Sequence, residues 1–459
     1  MSLTVLVIGF LCALAFVLVT IIKFNLHPFI SLLFGGMIMG AISGMKLTDI
    51  ADGLAAGFGN TMTSIGILII LGVILGELLH KSGCTSQIAA LLLGKTGTKN
   101  APLAIGLTGY IVSIPVFFDA AFVILIQLVK SISKKGKIPF ATLTCALGVG
   151  LITTHAMVIP TPGPVAVAGT MGINMGFFLL YSIIVSIPAA LVGGLVYGKW
   201  LGNRPQFKDD FGKAFADEDI DDSVLESSDN LPSGGLGIAL IVLPIAIILA
   251  GTIVCMLVPE KSMAYTVASF LGNKNIALLI GVIVALAALH KHITEDFNEI
   301  VTNATTQAGS ILAITGAGGA FGQIITNSGI GDKLAKGMSG AIGGSAFVIM
   351  IMAYLICLIL RAAQGSTTVA LVTTSAIFTS ILASMPGVSP VLVAIAICAG
   401  GIGLSLPNDS GFWVINRFGR FDVKDTIKIY TVGGTITSLT ALVCVLILSL
   451  FSGGLPGMF

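Results

Sequence analysis

The stretch LILRAAQGSTTVALV, residues 358–372, sets an arginine, a glutamine, a glycine and three hydroxyl side chains between two oily flanks. An arginine at the centre of a bilayer costs about 3 kcal/mol on insertion scales, so inside a membrane helix it needs a partner or a task. The rest of the chain says that this is such a helix. Of the 459 residues, 55% are hydrophobic and only 10% charged, and the mean hydropathy is +1.04. A water-facing surface carries more charge than that. Apolar runs of about 20 residues, the length of a bilayer crossing, recur along nearly the whole sequence. The fold class is an all-α polytopic membrane protein.

Working outward, hydropathy predicts spans near 3–23, 28–44, 62–80, 141–168, 173–200, 236–258, 275–290, 308–328, 388–413 and 428–451. Segments 101–130 and 345–381 are apolar but interrupted by a polar centre, so each is either a pair of crossing helices or a re-entrant hairpin. The net charge of +2 is uninformative, and no basic cluster suggests nucleic acid. The seven cysteines lack metal-type spacing and read as small core residues, so neither a metal nor a cofactor is expected. The first apolar run has no basic leader and no small-residue cleavage site, which reads as a retained helix rather than a signal peptide.

Cations fix the expected orientation. With both termini outside, the loops facing the cytoplasm hold 17 of the 23 lysines and arginines, the outside loops hold five, and Arg361 stands alone within a span. The stretch 203–235 is rich in acids and poor in apolar residues, and reads as a solvated cytoplasmic linker. It separates two halves that match each other at a single gapless offset of 246. GELLHKSG (76–83) falls on GQIITNSG (322–329), FISLLFGG (29–36) on NIALLIGV (275–282), KLTD (46–49) on HITE (292–295), PVFFD (115–119) on RAAQG (361–365), and TPGP (161–164) on PNDS (407–410). Each half has five full spans and one interrupted segment, and five is odd, so the second half enters the membrane upside down. Such inverted repeats build secondary transporters, with the site between the repeats on discontinuous helices.

Four interruptions form equivalent pairs. IPVFFDAAF (114–122) carries Asp119, and its partner is the opening stretch. TTHAMVIPTPGPVAV (153–167) carries Pro160, Pro162 and Pro164, which remove helical donors. Its partner LSLPNDSGFW (404–413) has Pro407 to stop one helix and Asn408, Asp409 and Ser410 to cap the next. Broken helices expose N-termini that attract anions, and GSTT (365–368) has that chemistry beside Arg361. The expected ligand is therefore a small carboxylate, and the surrounding hydroxyls and amides suit a hydroxylated one. The candidate substrate residues are Phe118, Asp119, Thr154, His155, Thr161, Gly163, Arg361, Gln364, Gly365, Ser366, Thr367, Asn408, Asp409 and Ser410. Alternatives stay open at several of them. Arg361 either meets the ligand or pairs with Asp119 or Asp409; those two acids suit proton coupling or a permanent salt bridge; His155 shuttles protons or bonds within its broken helix. Glu77, one turn before Lys81, reads as a snorkelling pair at a span's end, and TGAGGAFG (315–322) as close helix packing.

At these stretches the sequence is similar to the gluconate permease family, the gluconate:proton symporters of bacterial inner membranes. The resemblance runs through essentially the whole chain and is carried by FFDAAFVIL (117–125), THAMVIPTPGP (154–164), GAGGAFG (316–322), GSTTVA (365–370) and NDSGFW (408–413). It implies proton symport of a sugar acid such as gluconate, or a related aldonate, glycerate or D-serine, across the inner membrane. It also implies the fold of the ion transporter superfamily: a homodimer with a scaffold and a mobile part of two opposed hairpins moving in elevator fashion. On that basis residues 1–202 form the first repeat with 101–200 mobile, and 236–459 the second with 345–459 mobile. The family pattern has a histidine where Thr161 stands, which bears on the substrate. Sodium coupling and a passive organic-anion channel are the alternatives, and no nucleophile–base pair at fixed spacing suggests an enzyme.

Overall fold

The computed structural model describes residues 2–24, 26–97, 100–215, 231–330, 346–383, 385, 387–407 and 409–458. Among them the chain is helical. The first half runs α1 (Leu3–Ile22), α2 (Pro28–Ile42), α3 (Leu47–Lys81), α4 (Cys84–Thr96), α5 (Ala101–Val112), α6 (Phe118–Gly136), α7 (Phe140–Met157), α8 (Pro162–Thr170) and α9 (Met175–Gly202). After a short linker helix, α10 (Asp210–Phe215), the second half runs α11 (Gly234–Leu257), α12 (Met263–Leu271), α13 (Lys274–Leu289) and α14 (Phe297–Asn327). It continues through α15 (Ala346–Gln364), α16 (Thr367–Leu382), α17 (Pro390–Gly400), α18 (Ser410–Phe418) and α19 (Val423–Ser449).

The offset of 246 holds in three dimensions. Added to 28, 81 and 136, which bound α2, α3 and α6, it gives 274, 327 and 382, which bound α13, α14 and α16. It also carries Gly83, at φ 79°, onto Gly329, at φ 70°. Both glycines follow their helix in the left-handed region that side chains avoid. The mates α3 and α14 pack antiparallel: Gly57 backs onto Gly319 and Ala320, Gln307 reaches Glu77, and Lys81 meets Glu295. Equivalent helices running in opposite directions make the two repeats inverted.

Both long helices begin well before the predicted spans. The spans expected at 62–80 and 308–328 are the apolar ends of α3 and α14, whose first turns carry Asp49 and Asp52, and Glu299, Asn303, Thr306 and Gln307. Hydropathy hides a helix whose end is polar. Asp296 caps α14 through the amide of Asn298 and Glu299 follows in its first turn, a helix-start pattern readable in the sequence. α3 bends by 46° between Thr63 and Ile65. The run GAGGAFG packs as expected: Gly316 lies under Phe58, Gly318 under Val372 and Gly322 under Ala376.

Both interrupted segments turn back. The 12-residue α5 rises about 18 Å, short of the roughly 30 Å hydrocarbon core, and the chain reverses at residues 113–117 into α6. The second hairpin reverses at Gly365, at φ 70°, and Ser366 caps α16 through the amide of Val369. Helix breaks at 158–161 and 401–407 separate α7 from α8 and α17 from α18. Thr161 fills the first break, its hydroxyl donating to the carbonyl of Val158.

The described part of the linker, residues 203–215, is less solvated than expected. Phe207, Phe211 and Phe215 recur at every fourth residue. Phe207 is buried, while Phe211 and Phe215 lie edge-on to Phe140. Asp210 accepts hydrogen bonds from the amides of Phe140 (2.8 Å) and Ala141 (2.6 Å), capping α7 from 70 residues away. Lys130 and Arg420 lie 4.5 and 4.9 Å from the Phe215 ring centre. The acidic stretch 216–230 lies outside the described residues.

Candidate functional site

Both hairpin tips, the last turns of α7 and the start of α18 meet at one cavity of about 780 Å³, within the usual range for small-molecule sites. Two glycines of α3 let the tips approach. Gly76 lies against the carbonyl of Pro115, leaving no room for a Cβ, and a Cβ at Gly72 would be 3.3 Å from the carbonyl of Pro160. Across the cavity, Ser410 donates to Asp119 at 3.2 Å, and the Phe118 ring lies 5.4 Å from that of Tyr430. The halves thus touch at the site itself.

Arg361 is 1% exposed, and its bonds are divided. Nη2 meets Asp409 at 2.6 Å and Nε donates to the Gly401 carbonyl at 3.3 Å, while Nη1 is buried without a partner in a side chain that lines the cavity. Asp409 is fully engaged: it also accepts from the Ser405 hydroxyl and caps α18 through the amide of Gly411 at 3.1 Å. Asp119, by contrast, is half-buried and held through the Ser410 hydroxyl. Nδ1 of His155, another lining residue, is likewise buried without a partner.

Three helices begin at the cavity. Two carry their own carboxylate there: Asp119 in the first turn of α6 and Asp409 at the cap of α18. The first turn of α16 has no acid, so its partial positive charge is uncompensated and faces the cavity through Ser366, Thr367 and Thr368. Among the described residues the lining holds three acids, Glu77, Asp119 and Asp409, against two fixed cations, Lys81 and Arg361.

The sequence profile of the GntP family permease matches residues 3–451. The chain belongs to that family. The permease is 31% identical to a high-affinity gluconate transporter of Escherichia coli, over 94% of this chain and 96% of the relative. It is 34% identical to a D-serine transporter of E. coli over 96% and 97%, and 36% identical to an uncharacterized permease of Haemophilus influenzae over 94% and 89%. The crystal structure of the YdaH transporter of Alcanivorax borkumensis superposes with a TM-score of 0.66 at 14% identity, covering 94% of this chain and all of that one; that likeness concerns the fold. The protein is a multi-pass membrane permease.

Of the residues singled out in the sequence, Phe118, Asp119, His155, Arg361, Gly365, Ser366, Thr367, Asp409 and Ser410 line the permease's cavity. Three others do not. The Thr154 hydroxyl donates to the carbonyl of Tyr110 in α5, Thr161 closes its own helix break, and Gly163 packs beneath Leu371. Asn408 and the side chain of Gln364 lie outside the described residues. The wall formed by α3 and α14 was not expected in the site: Glu77, His80, Lys81, Asn303, Thr306 and Gln307 line the cavity as well. The snorkelling pair expected at Glu77 and Lys81 is not made. Glu77 accepts from Gln307 at 2.8 Å, and Lys81 pairs with Glu295 at 2.7 Å. The partners come from α14 and its approach, which a hydropathy plot leaves as loop.

Proposed function

We propose that this permease is a secondary active transporter that imports a small hydroxylated carboxylate by proton symport, with an elevator-type slide of its hairpin part. One observation carries the reading. The α16 N-terminus is uncompensated beside an arginine whose Nη1 has no partner, and together they form a receptor for one carboxylate. Gluconate and D-serine, named for two relatives, each combine a carboxylate with a hydroxyl.

Charge balance supports the proton. With three acids against two cations in the lining, an entering anion finds the site already short of positive charge. One proton on Asp119 removes that deficit, and the bonds around Asp409 leave Asp119 as the acid free to accept it.

We infer that the cavity opens by Lys81, an exposed lining residue in one of the cation-rich stretches, which supports a cytoplasmic opening with both termini outside. The repeats are also unequally closed: α16 packs along α14, whereas its mate α6 does not pack along α3. Exchange of those two arrangements would open the opposite side. In this reading residues 101–200 and 345–459 move against the remaining scaffold, and pairing of two copies through that scaffold is taken over from the family resemblance.

Proteoliposomes test the proposal. With labelled gluconate, glycerate and D-serine outside, an inward proton gradient drives accumulation of at least one acid, and a protonophore abolishes it. Accumulation driven by sodium alone replaces the proton with sodium, and equilibration without accumulation makes the protein a channel.

A further inference from the structure

A second cavity, of about 120 Å³, lies farther along the α3–α14 seam. Its scaffold wall is formed by Gly57, Asn60, Thr61, Gln323 and Thr326. At the offset of 246 these are the repeat mates of Asn303, Thr306, Gln307, Glu77 and His80, all of which line the main cavity. The two cavities are therefore the same place in the two repeats, seen from opposite faces of the membrane. Their chemistry differs. Where the main cavity has Glu77, His80 and Lys81, the second has Gln323, Thr326 and, bonded to Gln323 at 2.9 Å, Asn327. Every charged or titratable group on that wall is exchanged for an amide or hydroxyl. The facing wall adds Thr170, whose hydroxyl is buried without a partner, and Thr379. The packing of Ala376 on Gly322 keeps the space narrow.

Resting on the transporter reading above, we propose that this cavity is a substrate subsite on the face opposite the main mouth, a neutral one that takes the hydroxyl-bearing part of the acid through Asn60, Thr61, Gln323 and Thr326. Amides and hydroxyls both donate and accept, as alcohol groups require, and a wall without a carboxylate does not repel the anion that follows. Glu77 gives the main mouth the opposite bias, since a carboxylate there disfavours return of a released anion.

The test uses the full-length protein in sealed proteoliposomes, in a cysteine-free background that retains uptake. His80→Cys and Thr326→Cys are treated with a membrane-impermeant thiol reagent added to either face, with and without whichever of gluconate, glycerate and D-serine the wild type accumulates. The two cysteines react from opposite faces, and the acid slows both reactions. Gln323→Glu, which puts the main mouth's charge into the second cavity, lowers Vmax/KM by about fivefold or more through like-charge repulsion, and Gln323→Asn keeps most of it. Labelling of both cysteines from one face, or a Thr326→Cys rate indifferent to the acid, overturns the proposal. Failure of the wild type to accumulate any acid instead overturns the transporter reading, so the two failures are distinguishable.

Discussion

Neutralising the two acids of the site one at a time separates its structural charge from its working charge. Asp409→Asn keeps an oxygen for the Gly411 amide but removes the counter-ion 2.6 Å from an Arg361 that is 1% exposed. An ion left alone in a buried pair typically costs about 3–5 kcal/mol. Asp119→Asn removes much less: one hydroxyl contact of 3.2 Å at a half-buried position, worth about 1 kcal/mol. Thermal unfolding of the purified proteins in detergent therefore shows a large loss for Asp409→Asn and little change for Asp119→Asn. In proteoliposomes the two variants differ in kind. Asp119→Asn still exchanges internal for external acid but no longer accumulates it on a proton gradient, while Asp409→Asn loses exchange and accumulation together. Equal destabilisation by the two variants would refute the division of roles read from the bonds. So would pH-driven accumulation by Asp119→Asn.

Arg361→Lys keeps the charge, but one ammonium cannot hold Asp409 and the Gly401 carbonyl and still keep a donor spare for the acid; the equilibrium Kd for the transported acid rises by about tenfold or more, equivalent to about 1.4 kcal/mol. Gly76→Ala places a methyl on the Pro115 carbonyl and lowers thermal stability by about 1–3 kcal/mol, whereas Gly59→Ala, with nothing within 4 Å, is neutral or stabilising by up to about 1 kcal/mol. Burial of the linker's Asp210 raises its carboxyl above the ordinary value, only partly offset by the Ala141 and Phe140 amides. The native state then binds a proton that the unfolded state releases, so stability relative to Asp210→Asn increases as pH is lowered from neutral through the raised value and levels off below the ordinary one. Melting curves of the two proteins across that range read the sign directly.

The repeat was legible because inverted halves of one length keep a constant numerical offset, and the helix ends obey it. The hairpins and breaks were legible because proline, glycine and hydroxyl runs inside oily segments have few other uses. The scaffold wall was not, for a physical reason. The polar start of α14 lines the cavity, so its composition is that of a loop although its backbone is helical, and Glu77, His80 and Lys81 read as the ordinary polar end of a span. The hydroxyls of Thr154 and Thr161 misled in the opposite sense, because a broken helix must first satisfy its own carbonyls, and these side chains do so. The charge on Arg361 divides what the sequence posed as a choice, for it holds Asp409 with one nitrogen and keeps another unbonded.

The seam beside α3 has a mechanical consequence. At Gly72 and Gly76 the tips of the opposing part rest on bare main chain, and at Gly318 and Gly322 the other hairpin does the same. Interlocked side chains must climb out of their notches before two surfaces can pass, and a rail without teeth has no notches. In the proposed slide, resistance along this seam is therefore low, and the grip that sets its resting positions falls to the few polar contacts at either end.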